Sequence, residues 1–468
     1  MSKAEIRYKK KEIAKLIKDG NDRELCFLML YEVWENDGFS NLVIKKADSI
    51  ASELGRSLKF VRAMFYGTLS YTYAIDFLVR HITKNDVSEM DPVSRIAVRM
   101  SVWQQVFSEG GIPDYAACST AVDIVKKYNP KSANFVNAVL RKFADAPDAQ
   151  KYLEQYKPSI RISLKPEIYG VLKMYYGKQR AIDIGKAFLR PANVTVRFNP
   201  DKVTAAELSK SLASDGVETT ASSFMPQALK IVGGPRGIET TKAFSEGKIF
   251  VQNEAAMLAS VIADPKPGDK ILDCCAAPGG KSTHMAEITR DRCEITSMDI
   301  NESRLKLIEQ NAERLGLSSI KVVEGDATKF SDDKSTNGTY DIVLCDVPCS
   351  GMGLLGRKPD IRQRITFDRI QDLLPIQIKI LSEASKKVKP GGALIYCTCT
   401  LNKEENEDIV EEFLSENPDF SRVSIVDYIP DLLTMDPDRQ EDVEQGQITL
   451  FPDTDGCDGF YICRMERK

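Results

Sequence analysis

Two stretches of this chain end in cysteines whose setting suits chemistry on a bound substrate. The first is Tyr340-Asp341-Ile342-Val343-Leu344-Cys345-Asp346-Val347-Pro348-Cys349-Ser350-Gly351. Ile342 to Asp346 reads as a buried strand, a short apolar run closed by a charged residue and a turn signal. Pro348 has no N–H to donate and ends the pairing. Asp346 and Cys349 therefore fall at the carboxyl end of a strand, where open α/β sheets hold their ligands. On these residues alone Cys349 is the obvious nucleophile. The second stretch is Ala393-Leu394-Ile395-Tyr396-Cys397-Thr398-Cys399-Thr400, followed by Asn402-Lys403-Glu404-Glu405-Asn406. It reads as a strand passing into a helix with Cys399 at the junction, and a helix N-terminus lowers a thiol's pKa. Two thiols are thus expected at adjacent strand ends.

A third stretch, Cys274-Cys275-Ala276-Ala277-Pro278-Gly279-Gly280-Lys281, follows a strand expected over Lys270 to Asp273. Gly279 and Gly280 let a ligand approach the backbone at the start of a helix, whose N-terminus attracts negative charge. The pattern is neither G-x-G-x-x-G nor a full phosphate loop, so a nucleoside bearing a carboxylate fits better than a pyrophosphate. Asp299 ends the next strand and is placed to accept bonds from ribose hydroxyls. Gly325-Asp326-Ala327 ends the third, where an acid can accept from an adenine amine. Each acid singly could instead be a helix N-cap. Three successive strand ends with ligand-type groups point to an adenosyl ligand.

These loops need a sheet to carry them. Strands are expected at 270–274, 294–299, 320–324, 341–345 and 393–398, with Phe460 to Cys463 as a last strand and helices between. The expected fold is α/β, a Rossmann-like doubly wound mixed sheet over 247–468. Ahead of it, 1–22 is a basic arm that is either a frayed helix or a phosphate-touching tail. Residues 23–146 show apolar spacing of three and four throughout and read as an all-helical domain. Residues 147–193 form a helical connector. Residues 194–246 form a small α+β module, with strands from Val194, Val217 and Ala228 and a capping box at Thr204 and Glu207.

The bulk composition narrows the classes. Hydrophobic residues at 43% and charged residues at 28% describe a globular protein, and no apolar run approaches a membrane span. The lysine-rich N-terminus has no apolar core of a signal peptide, and eleven cysteines without one suggest free thiols in a reducing cytoplasm. Leu401 to Gln445 carries a net −12, which against the total of −4 leaves +8 on the other 423 residues. An RNA-binding face on that remainder stays open. A zinc or iron–sulfur site at the clustered cysteines is disfavoured, since their spacings do not form C-x2-C ligand pairs and the chain has only two histidines, His81 and His284. No metal is expected. NAD chemistry lacks its fingerprint, and a silent RNA-binding factor would not need both thiols and all three acids.

The phrases Arg23-Glu24-Leu25, Phe65-Tyr66-Gly67-Thr68-Leu69 and Phe135-Val136-Asn137-Ala138-Val139-Leu140-Arg141 resemble the NusB-type RNA-binding helical domain. Asp273 to Lys281, Asp346-Val347-Pro348-Cys349-Ser350-Gly351 and Thr398-Cys399 with Glu405-Asn406 resemble the Sun/Nop family of RNA cytosine-5 methyltransferases. Arg357-Lys358-Pro359-Asp360-Ile361-Arg362 fits its bacterial small-subunit rRNA branch. The resemblance implies S-adenosyl-L-methionine held by Cys275, Ala276, Ala277, Pro278, Gly279, Gly280, Lys281, Asp299, Asp326 and Asp346. It makes Cys399 the nucleophile and Cys349 the release thiol, with Asp346 positioning cofactor and base. The expected partner is 16S rRNA or its precursor, met by a monomer. Lys281 and the 357–362 run are candidate phosphate contacts, although a solvated surface explains the run equally. Cys397 and Cys274 depart from the family pattern at positions expected to touch no required role.

Overall fold

From Lys10 to Ala187 every described element is helical. The structure, a computed structural model, describes residues 6–108, 112–146, 149–234, 237–332, 335–434 and 437–468. The chain forms two units, residues 1–191 with 355–364, and residues 192–354 with 365–468.

The helical unit is built around Pro92–Val106, a helix buried along most of its length from Val93 to Gln104. A helix apolar on all sides belongs at the centre of a bundle. Its start is set by sequence: Asp91 accepts from the amides of Val93 at 3.1 Å and Ser94 at 3.2 Å, and Pro92 tolerates the first turn. Asp91→Ala is expected to destabilise this unit by about 1–2 kcal/mol. Both tryptophans, Trp34 and Trp103, lie in the unit, so urea unfolding followed by tryptophan fluorescence reads it directly. The basic arm contains the helix Lys10–Asp19, which buries Ile13, Leu16 and Ile17. The described part of the arm is therefore core-forming, and residues 1–5 lie outside the described residues.

The 357–362 run requires a correction. It belongs to the helical unit, and Arg362 is fully buried, donating to the carbonyls of Ser163 and Phe188 at 2.9 Å each. Asp360 accepts from the Ser40 hydroxyl, and Arg364 donates to the Gly38 carbonyl at 2.6 Å. Arg362 is committed to backbone carbonyls rather than to phosphate.

In the second unit a four-stranded antiparallel sheet comes first: β1 (Val194–Phe198), β2 (Glu218–Ala221), β3 (Ala228–Gly233) and β4 (Ile249–Val251), in the order β2-β3-β1-β4. β1 and β2 flank β3, with the helix Ala205–Ser214 joining them, so the unit is a split βαβ. Thr204 and Glu207 cap that helix reciprocally.

The large sheet holds β5 (Lys270–Asp273), β6 (Glu294–Asp299), β7 (Ile320–Glu324), β8 (Tyr340–Asp346), β9 (Val388–Thr398), β10 (Phe420–Arg422), β11 (Gln447–Leu450) and β12 (Phe460–Arg467). Its order is β10-β12-β9-β8-β5-β6-β7, with β11 beside β12. β5 to β9 pair in parallel, while β12 runs antiparallel to β9. The chain builds outward from β5 to β7, then returns to lay β8 on the other side of β5. That reversal is the topological switch point, the crevice where such sheets bind ligands. The expected strands are all present; β4, β10 and β11 were not expected, being too short for a period-two pattern to register.

Candidate active site

The loop after β5 is shaped by its glycines and its acid. Gly279 takes φ +94, a left-handed conformation that an L side chain rarely adopts, and a Cβ there would approach Ile308 to 3.1 Å. It opens the helix Gly280–Ile288. Asp273, at the end of β5, is buried and accepts from the Ser282 hydroxyl at 2.6 Å through Oδ2. Its Oδ1 has no hydrogen-bond partner. Burial pushes the carboxyl up to about 6, against the opposing pull of Ser282 and Lys281.

Asp299 accepts from the amides of Ala277 at 3.3 Å and Asn301 at 3.1 Å and pairs with Arg304 at 3.3 Å, which ties the second strand end to the glycine loop. One residue on, Ile300 stands 65% exposed, an apolar face beside the crevice. Asp326 is engaged locally: it accepts from the Thr328 amide at 3.0 Å and hydroxyl at 2.6 Å and pairs with Lys329 at 3.0 Å. Those bonds, led by the Thr328 hydroxyl, hold its carboxyl below the usual range. The N-cap reading is thus realised at Asp326, with a 3-10 helix following from Ala327.

Asp346 gathers the centre. Its Oδ2 accepts from Lys281 Nζ at 2.5 Å, and Cys397 donates its S–H toward Oδ1 at 3.7 Å. Lys281 is only 9% exposed; burial is the largest single influence and works against its charge, but Asp346 together with Cys397 and Asp273 outweighs it and holds the ammonium above its ordinary range. Two expectations change here. Lys281 is locked to Asp346 rather than free for phosphate. Cys397 touches the central carboxylate, as its position opposite Asp346 in the β8–β9 register dictates.

Cys349 and Cys399 come together, their sulfurs 3.1 Å apart. The two loops are stitched along their length. Val347 N–H donates to the Cys397 carbonyl at 3.2 Å and Gly353 N–H to the Cys399 carbonyl at 3.0 Å. Gly353 also lies so close to Gly459 that a Cβ would collide with its carbonyl. The Cys349 thiol is pushed well up, first by its hydrogen bond to Cys399 and then by burial. It therefore stays protonated at neutral pH, and either sulfur can be the donor in the contact between them. The expected helix does not begin at Cys399: a loop and a 3-10 turn, Lys403–Glu405, precede the helix Glu407–Glu416. What surrounds Cys399 is the neighbouring thiol loop, not a helix terminus.

A family model described as 16S rRNA methyltransferase RsmB/F matches residues 260–466. Models of the NusB family and of the RsmF/B-like ferredoxin-like domain match 20–145 and 169–236. The probable ribosomal RNA small subunit methyltransferase B of Bacillus subtilis is 32% identical over 95% of this chain and 98% of its own length. The chain belongs to the RsmB/F methyltransferase family. A second such protein, from Synechocystis, is also 32% identical, over 95% of this chain and 99% of its own. The crystal structure of PH0851 aligns with a TM-score of 0.79 at 27% identity, covering 98% of this chain and 99% of that one.

In this RsmB/F member the three blocks are thus a NusB-like helical domain, a ferredoxin-like module and a Rossmann-like methyltransferase fold. Sequence reasoning missed Arg197, which reaches from β1 to the glycine loop. It donates to the Gly280 carbonyl at 2.9 Å, Thr283 Oγ1 at 3.1 Å and Glu287 at 2.8 Å, entirely buried. No local pattern could have flagged it, since its partners, Gln252 among them, lie 55 or more residues away.

Proposed function

We propose that this protein transfers a methyl group from S-adenosyl-L-methionine to carbon-5 of a cytidine in 16S rRNA, through a covalent bond between Cys399 and the pyrimidine. The observation that carries the reading is the pair of thiols 3.1 Å apart at the ends of adjacent parallel strands, beside a carboxylate at the switch point. The proposed domain limits are those of the sequence reading, 23–146 for RNA, 147–193 as connector, 194–246 as module and 247–468 for catalysis, except that β4 (Ile249–Val251) completes the module's sheet.

The crevice suits the cofactor. Gly279 and Gly280 shape the loop by packing directly against Ile308 and against Phe250 and Gln252, Asp299 offers a ribose partner and Ile300 an apolar face for the adenine. Asp273 has an unfilled acceptor for the ammonium of the amino-acid end. Cys275 to Lys281, Asp299, Asp326 and Asp346 would line it. When bound, S-adenosyl-L-methionine supplies an electrophilic methyl group.

The chain's own residues prepare the acceptor. Carbon-5 of cytosine is a poor nucleophile, and addition of the Cys399 thiolate to carbon-6 moves electron density onto it. Asp346, oriented by Lys281, hydrogen-bonds the pyrimidine and favours that addition. After solvent water takes the carbon-5 proton, the freed electron pair re-forms the carbon-5–carbon-6 double bond and the carbon–sulfur bond breaks, its pair returning to Cys399 as the thiolate. Cys349, held as a thiol, donates to the departing Cys399 sulfur. A base inside a helix is out of reach, so the target cytidine is single-stranded or flipped out.

Incubating the protein with unmodified 16S rRNA and methyl-labelled cofactor should yield 5-methylcytidine in the nucleoside digest. Label recovered in another nucleoside would overturn the carbon-5 assignment. Cofactor affinity should also depend on pH through Asp273. Its carboxyl must be charged to receive an ammonium, so Kd should rise by about tenfold per unit as pH falls below 6. Asp273→Asn should remove that slope in calorimetric titration; a slope that survives would assign it to another group.

A further inference from the structure

Glu405 is fully buried, and its carboxylate sits where the two thiol loops meet. Oε1 accepts from the Ser350 amide at 2.8 Å and Gln377 Nε2 at 3.1 Å. Oε2 accepts from the Ser350 hydroxyl at 2.6 Å and from Asn402 Nδ2 at 3.2 Å, with Thr400 Oγ1 at 3.3 Å. Ser350 directly follows Cys349, and Thr400 directly follows Cys399. Ser350 and Thr400 also bond each other at 2.8 Å. One carboxylate therefore fastens the residue after each cysteine. Asn406 holds the other side of the same turn, accepting from Thr398 Oγ1 at 2.5 Å and donating to the Thr400 carbonyl at 3.1 Å.

A carboxylate is the group suited to this point. The donors that converge on it include two amide groups and a main-chain N–H, which a neutral glutamine could not all satisfy without turning its own NH2 against them. The donors that meet it are all neutral, so no cation among these hydrogen-bond partners offsets a negative charge placed there. The groups facing Cys349 are the Cys399 thiol and Glu405, which disfavour its ionisation, and the Gly351 amide, which favours it; Tyr396 lies behind.

We propose that Glu405, by fastening the residue after each cysteine, is a positioning residue that sets the separation of the two sulfurs and, from its buried place between the two loops, makes them unequal so that Cys399 is the thiol that attacks. The proposal rests on the assignment of Cys399 as nucleophile. Glu405 touches neither base nor cofactor in this role. Its effect is to make two otherwise similar thiols unequal.

The test is alkylation of the cofactor-free, full-length protein by iodoacetamide between pH 6 and 10, with each cysteine followed by peptide mass spectrometry. Wild-type protein should alkylate Cys399 first, with Cys349 reacting only toward high pH. Glu405→Gln should shift the Cys349 profile downward, raising its rate at pH 8 by about tenfold. Its kcat should fall while KM for RNA stays within about twofold. Glu405→Asp keeps the charge but not the reach, so it should leave Cys349 slow while kcat falls. An unchanged Cys349 profile in a folded Glu405→Gln protein overturns the proposal. Should that variant not fold, Ser350→Ala tests the positioning half: kcat should drop at constant KM, and an unaltered kcat overturns it. Turnover retained by Cys399→Ala would instead overturn the nucleophile assignment, leaving the alkylation profiles to be read on their own.

Discussion

Cys399→Ala is expected to abolish methyl transfer, with kcat reduced by on the order of 10^6, the scale on which loss of a covalent nucleophile is felt. Cofactor affinity should be unchanged, because the residues proposed to hold it follow β5, β6, β7 and β8, whereas Cys399 follows β9. The measurement is single-turnover transfer from labelled cofactor to 16S rRNA, with calorimetry as the control. Appreciable turnover in the variant would mean that the attack comes from elsewhere, and Cys349 would be the next candidate at 3.1 Å.

Cys349→Ala should behave differently. It should still attack, but the protein should accumulate bonded to RNA as a species that survives denaturation and migrates slowly on a gel. The physical reason is the donor role proposed for Cys349, whose thiol is pushed up by its bond to Cys399 and by burial. Without that donor the departing sulfur leaves as an unsupported thiolate in a partly buried site. Removing one donor to developing charge costs roughly 10^2–10^3 in rate, enough for the adduct to outlast each turnover. The double variant lacking both thiols should form no adduct. If Cys349→Ala turns over without one, the release role is wrong and the 3.1 Å contact serves another purpose.

Much of the methyltransferase fold was legible because its signals are local. A short apolar run ending in Asp and then Pro marks a strand end wherever it occurs, and β8 is found where that run lies. The Thr204–Glu207 box and the glycines at 279 and 280 likewise declare a helix start by steric and hydrogen-bond rules that need no neighbours. The misreadings share the opposite character. Lys281 reads as an available cation until β8 brings Asp346, 65 residues away, within 2.5 Å. Arg362 reads as part of a basic surface until the carbonyls of Ser163 and Phe188 close over it. The arm at 1–22 reads as basic and loose because its buried side chains, Tyr8, Ile13, Leu16 and Ile17, are outnumbered by lysines.

The sequence by itself determined which residues stand at strand ends, for strand termination depends on apolar runs, proline and glycine within a few positions. It therefore placed two thiols and several acids at strand ends of one sheet. Only the tertiary structure decided what each of them is paired with. The separation of the sulfurs, the locking of Lys281 to Asp346, the open acceptor on Asp273 and the burial of Glu405 between the thiol loops all depend on distant segments meeting in a medium of low polarity. There the protonation of a group follows from what it touches and how much water it has lost, and neither quantity is written in its immediate neighbours along the chain.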